Sequence, residues 1–149
     1  MALVDLISEE VVKVPLTSDN KPAVLQELVQ ILVDANKIDD FNAAFAAIQE
    51  REDKQSTGLE MGIAVPHGKT PAVKNLVVAI GISKDGIDFN SMDGKPSQLF
   101  FMLIAPPNQP GPHVEALAEI AKLSRSKAFC SALINAGDAR EVVELLRED

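Results

Sequence analysis

Leu99-Phe100-Phe101-Met102-Leu103-Ile104-Ala105 contains no polar side chain. A strand over these residues has no face suited to water, so it must be covered on both sides. Leu76-Val77-Val78-Ala79-Ile80-Gly81-Ile82 is a second run of the same kind. Two such strands, set among helical segments, predict a layered α/β sandwich. Between the two runs, Lys84-Asp85-Gly86 and Met92-Asp93-Gly94 are turn signals and predict loops. Past Ala105, Pro106-Pro107-Asn108-Gln109-Pro110-Gly111-Pro112 predicts a stiff loop, because proline fixes φ and lacks an amide hydrogen.

Helical spacing accounts for most of the remainder. Val11-Val12-Lys13-Val14 reads as a short strand. Asp19 is the expected N-cap of a first helix, with Pro22 in its first turn and Val24, Leu25, Leu28, Ile31 and Leu32 on one face. Asp39 is expected to cap a second helix that runs to about Arg51 or Asp53, with Phe41, Ala44, Phe45 and Ile48 inward. Gln55-Ser56-Thr57-Gly58 then forms a loop. Near the C-terminus, helices are expected from Val114 to about Ser124, around Lys127 to Asn135, and from Asp138 to about Leu146. Leu117, Ile120, Ala121 and Leu123 mark the inner face of the first of these. Asp138-Ala139-Arg140-Glu141 resembles a capping box. With no repeat, low-complexity segment or linker, residues 1–149 read as one domain.

Composition narrows the function. Hydrophobic residues make up 46% of the chain, enough for a substantial core. A formal net charge of −8 argues against non-specific nucleic-acid binding and against an anionic membrane surface. No apolar run approaches the roughly 20 residues that cross a bilayer. The first ten residues lack the basic start of a signal peptide. Cys130 is the single cysteine and has no partner for an internal disulfide, so a reducing cytoplasm is the expected compartment. Its helical, apolar context reads as core.

The chemistry concentrates in Met61-Gly62-Ile63-Ala64-Val65-Pro66-His67-Gly68-Lys69-Thr70. The small apolar residues read as a short buried strand. Pro66 stops it, His67 is presented at the turn, and Gly68 permits close backbone approach. The second of the two histidines, His113, is likewise preceded by turn residues, Gly111-Pro112. Gly68-Lys69-Thr70 looks like the end of a P-loop, but five residues separate Gly62 from Gly68 where that motif has four. Pro66 also removes an amide that would cradle phosphate. Zinc needs three or four ligands, and His67, His113 and Cys130 show no metal-site spacing. No Gly-x-Ser-x-Gly elbow is present. Ser56 and Thr57 read as loop hydroxyls that donate to an anion. The plain structural reading of His67 is a buried imidazole bonded to a carbonyl. Its setting at a strand end favours a functional one.

Glu50-Arg51-Glu52-Asp53-Lys54-Gln55-Ser56-Thr57-Gly58, followed by Gly62-Ile63-Ala64-Val65-Pro66-His67-Gly68-Lys69, resembles the fructose/mannitol/nitrogen-type enzyme IIA domains of the bacterial phosphoenolpyruvate-dependent sugar phosphotransferase system. The segment from His113 to Arg125 is similar to that family's second-histidine helix, and the resemblance runs from about Leu6 to Leu146. Glu60-Met61 departs from the Gly-Asn often found there, and Gly111-Pro112 is tighter than usual. The resemblance implies a three-layer α/β/α sandwich on a mixed sheet, and a cytoplasmic phosphocarrier with no cofactor. It matches His67 to the histidine phosphorylated on Nε2, His113 to the second active-site histidine, and Arg51 to the motif arginine. Ser56, Thr57 and Gly68 fall in the matching loop and phosphate-binding positions. The implied partners are a histidine phosphocarrier protein as donor and a sugar-specific enzyme IIB as acceptor. A regulatory domain of the nitrogen branch, controlling a binding partner instead of sugar uptake, is the alternative.

Such chemistry needs an unprotonated nucleophile and groups that stabilise charge on the phosphoryl oxygens. Imidazole, with a reference pKa of about 6.5, is a competent nucleophile near neutrality. A bond from Nδ1–H to a backbone carbonyl would fix the tautomer and leave Nε2 free. Arg51 would offer a planar fork of donors. His113, in the first turn of a helix, would stay neutral against the helix dipole and still donate one hydrogen bond.

Overall fold

The computed structural model describes residues 3–148. Two 3-10 turns, Leu3–Leu6 and Glu9–Val11, lead into β1 (Val12–Lys13). Then come α1 (Lys21–Asp34), α2 (Phe41–Lys54), β2 (Ile63–Ala64), β3 (His67–Lys69), β4 (Val77–Ile87) and β5 (Ser97–Ala105). The chain closes with α3 (Pro110–Leu123), α4 (Lys127–Ile134) and α5 (Ala139–Glu148).

β4 and β5 are the two apolar runs, and they pair antiparallel at the centre of a mixed sheet. β1 lies parallel outside β4, and β2 and β3 lie parallel to β5 on its other side. α1 and α2 pack on each other and against β4 and β3. The helices α3, α4 and α5 pack against β5, β4 and β1. This is the α/β sandwich that the two-sided apolarity demands. Phe100, Phe101, Ile80 and Ile82 are fully buried, each contributing roughly 1.5–3 kcal/mol of transfer free energy.

Several local expectations are corrected. Asn20, not Asp19, caps α1 by accepting from the Ala23 amide at 2.9 Å. Asp40, not Asp39, caps α2 by accepting from the Ala43 amide at 3.0 Å. In both cases the cap is the residue whose oxygen reaches the amide three positions on. The first strand is shorter than read, because Val11 belongs to the preceding 3-10 turn. Lys84-Asp85-Gly86 does not end β4. Gly86 takes φ +82 and the pairing shifts between Ile82 and Ile87, so the strand absorbs the turn signal as an irregularity and continues. Met92-Asp93-Gly94 is a turn, as expected.

The proline loop is also shorter than read, since α3 already starts at Pro110. Proline suits a first turn, where its missing N–H has no helical partner to lose. His113, Ala116 and Ile120 form the buried stripe of α3, whereas Ala121 is exposed. Asp138 caps α5 by accepting from the Glu141 amide at 2.9 Å. The reciprocal arm, Glu141 Oε2, reaches back to the Gly137 amide at 2.7 Å.

Candidate functional site: a two-histidine cleft

His67 does not sit in a turn. It opens β3, opposite Leu103, and β2 and β3 keep one register along β5 across the Val65-Pro66 break. Pro66 has no amide to give, but its carbonyl accepts from Leu103 N–H at 3.0 Å, so the edge strand resumes at once. The break frees the Val65 carbonyl. His67 Nδ1 lies 2.8 Å from it, and since a carbonyl only accepts, Nδ1 carries the proton. The tautomer is therefore fixed, and Nε2 holds the lone pair.

Gly68 faces the other way. A Cβ there would stand 2.9 Å from the Ala47 backbone carbonyl carbon and oxygen, so only glycine lets β3 lie this close to α2. That packing presses the C-terminal turn of α2 against the strand and brings Arg51 to the same cavity as His67. Arg51 Nη1 donates to the Gln55 carbonyl at 2.7 Å, which anchors the guanidinium at the helix end.

His113 enters from α3. It is only 4% exposed, and its Nε2 has no hydrogen-bond partner. Its ring centroid is 5.6 Å from that of His67, at an interplanar angle of 76°. Together with Arg51, Lys54, Lys69 and the apolar rim residues Val114 and Leu117, the two imidazoles line a cleft of about 490 Å³. Burial holds the His67 pKa below the ordinary imidazole value; the bond to Val65 opposes this, and the Arg51 charge reinforces it. Burial also holds His113 low, followed by the neighbouring His67 and Lys69. Both rings are thus neutral near pH 7: one presents a nucleophilic lone pair, the other a buried polar nitrogen without a partner.

Ser56 and Thr57 are not brought to this cleft. The Ser56 hydroxyl donates to the Phe89 carbonyl at 2.6 Å. The Thr57 hydroxyl donates to Glu52 at 2.6 Å, and its amide to the same carboxylate at 2.9 Å. The anion that Thr57 meets is therefore internal. Glu52 is 5% exposed and is paired with Lys21 at 2.9 Å, a buried network behind the site that sequence reading left without a role. The Arg51 and His67 positions were legible; the inward turn of Glu52, one residue on, was not, because a helix-end glutamate ordinarily faces water. A larger groove of about 770 Å³, bounded by Asp5, Glu10, Lys37, Asp39, Lys74 and Arg147, interleaves opposite charges and holds no histidine or cysteine. Cys130 is buried in the core, and burial raises its pKa. Among the described residues, no helix is long and apolar enough to cross a membrane.

Residues 5–149 match the family model described as "Phosphoenolpyruvate-dependent sugar phosphotransferase system, EIIA 2". The chain is 34% identical over 148 residues to the PTS system fructose-specific EIIABC component of Bacillus subtilis, covering 99% of this chain but 23% of that relative. It is 32% identical over 146 residues to the Nitrogen regulatory protein of Bradyrhizobium diazoefficiens, covering 98% of this chain and 95% of the relative. In structure it matches Nitrogen Regulatory Protein IIA-Ntr from Neisseria meningitidis with a TM-score of 0.89 at 27% identity, over 97% of this chain and 98% of the other. The family match over nearly the whole chain, on a fold that joins two neutral histidines and an arginine in one cleft, makes this chain a member of the EIIA 2 family of the phosphoenolpyruvate-dependent sugar phosphotransferase system.

Proposed function

We propose that the chain is a cytoplasmic phosphocarrier that takes a phosphoryl group on His67 Nε2 from a histidine phosphocarrier protein and passes it to a cysteine or histidine of an enzyme IIB. The observation that carries this reading is the pairing of a fixed tautomer with an unpartnered buried nitrogen. His67 Nδ1–H is held by Val65, and His113 Nε2 lies buried and unpartnered across the cleft. In the transfer, the Nε2 lone pair forms a bond to phosphorus while the donor's P–N bond breaks, its electron pair returning to the donor nitrogen. Nδ1 keeps its proton throughout, so the product is a phosphorylated imidazolium. The ring leaves as neutral imidazole in the next step, which keeps the group transferable. Arg51 supplies charge to the phosphoryl oxygens.

The direct test is incubation with radiolabelled phosphoenolpyruvate and the general carrier proteins. The wild type takes up one acid-labile, base-stable phosphate, and folded His67→Ala takes up none. Label on serine, threonine or His113 would overturn the assignment. A fructose- or mannitol-type role and a nitrogen-type regulatory role differ in the acceptor. The near-full mutual coverage with the Bradyrhizobium nitrogen regulatory protein favours considering the second. Onward transfer to a panel of enzyme IIB proteins separates them: transfer to one member supports sugar uptake, and its absence from all supports regulation.

A further inference from the structure

We propose that Lys69 is a phosphate-contacting residue of this site, a second cation that engages the phosphoryl group on His67 beside Arg51. This inference rests on the phosphocarrier reading and specifies its binding set. Lys69 is the third residue of β3, and side chains two apart on a strand leave the same face, so Lys69 and His67 project together while Gly68 faces α2. The same cleft is lined by Lys69, both histidines and Arg51. Lys69 is exposed, and its ammonium makes no ion pair or hydrogen bond among the described residues, whereas Arg51 already gives one N–H to Gln55. Its charge also lowers the pKa of both His67 and His113, as a cation facing both rings must. A phosphoryl group bound to His67 carries close to two negative charges on its oxygens, and the imidazolium charge lies on the ring behind phosphorus, so the oxygens still call for cations on their outer side. Arg51 supplies one, and an unpaired ammonium two residues along the strand adds another on a flexible stem that follows the group as it arrives and departs.

The test uses potassium phosphoramidate as a small donor, so no protein partner intervenes. His67 Nε2 forms the N–P bond while the P–N bond of phosphoramidate, protonated on its nitrogen at neutral pH, breaks with its pair on nitrogen, releasing neutral ammonia. Uptake is followed by phosphorus NMR for the wild type, Lys69→Gln and Lys69→Arg, in low salt and in about 1 M salt, where the Debye length shrinks to about 3 Å. Lys69→Gln is expected to slow phosphorylation on the order of tenfold in low salt, the scale of losing one partly solvated cation beside a dianion. The deficit narrows in high salt, and Lys69→Arg stays within about threefold of the wild type, since it keeps the charge. Proton NMR titration of Lys69→Gln should also show both imidazole pKa values rising, which a mere packing defect does not produce. Lys69→Gln within about twofold of the wild type in low salt would overturn the inference, as would Lys69→Arg failing equally. A wild type that takes up no phosphate on His67 removes the phosphocarrier reading itself, and this inference with it.

Discussion

His113→Leu should stabilise the protein and cripple it. The buried Nε2 of His113 has no partner, and such an orphaned polar atom costs about 1–3 kcal/mol. Leucine removes that atom and stays apolar within the Ala116–Ile120 stripe, but it fills a flat ring's space imperfectly. Allowing about half of the gain to be lost to repacking leaves about 1 kcal/mol of net stabilisation. For a chain of this length that raises Tm by about 2–4 °C. Phosphoryl uptake on His67 should fall by about 10- to 1,000-fold, the range for removing one positioned donor from a transition state. Urea unfolding and the radiolabelled transfer assay measure the two effects on one preparation. The pH profile adds a third. Both imidazoles are held below their ordinary value of 6.5, so the unfolded chain binds their protons first. Wild-type stability therefore declines as pH falls through about 6.5, and His113→Leu should lose less over that window. His113→Gln, which restores a neutral donor, should recover part of the rate and forgo the added stability. A lower urea midpoint for His113→Leu, by more than about 1 kcal/mol, would show that Nε2 is satisfied in solution and would refute the reasoning.

Arg51→Ala should slow phosphorylation by about 10- to 1,000-fold, with Arg51→Lys a partial rescue that lacks the fork; rates within twofold of wild type would reduce Arg51 to a helix-end residue. Met61 and Gly62 hold φ of +63 and +77 in the turn closed by the Ile63 amide on Glu60, a left-handed pair that suits Asn-Gly. Met61→Asn should therefore raise stability by about 0.5–1 kcal/mol, read by thermal melting. Gly68→Ala must move β3 off Ala47, so it should cost about 1–3 kcal/mol and shift the His67 ring resonances in NMR spectra. Burial acts to raise the Glu27 pKa, but Lys13, Thr17 and Ser18 override it and hold the pKa at about 2, down from 4.5. That stability is complete above about pH 4.5 and fades toward about pH 2; after allowance for solvent screening, Glu27→Gln should remove about 1–2 kcal/mol at pH 7.

The residues that announced themselves did so through composition that only one environment tolerates. Leu99 to Ala105 has no polar face, so β5 is central in any sheet it joins. β3 announced nothing, because His-Gly-Lys has no strand propensity and exists as a strand only through pairing with β5. Reading His67 as a turn residue hid the alternation that sets Lys69 beside it. Ser56 and Thr57 looked like anion donors, and in chemistry they are donors, but their acceptors are Phe89 and Glu52. Loop hydroxyls look alike in sequence whichever way tertiary packing turns them. That His113 faces His67 rests on its place in a first helical turn after the proline-rich loop together with the family resemblance; no spacing rule joins an edge strand to a helix 46 residues on.

The start of α3 shows why this cleft suits a relay better than a store. A helix N-terminus normally offers up to four free amides and so binds phosphate through its backbone. Here Pro110 and Pro112 have none, and the Gln109 amide is taken by the Pro106 carbonyl at 3.2 Å, which leaves Gly111. The backbone nest is dismantled where the dipole would otherwise hold an anion most firmly. Charge on the phosphoryl group must then be met by side chains, which can rotate away as the group departs. The same prolines fix the first turn and so set where His113 stands. A site with a full amide nest would bind phosphate tightly as ground state and product alike, and uniform binding of that kind does not speed transfer. Removing backbone donors while keeping one buried imidazole leaves the stabilisation to side chains, which can shift with the phosphoryl as it is transferred.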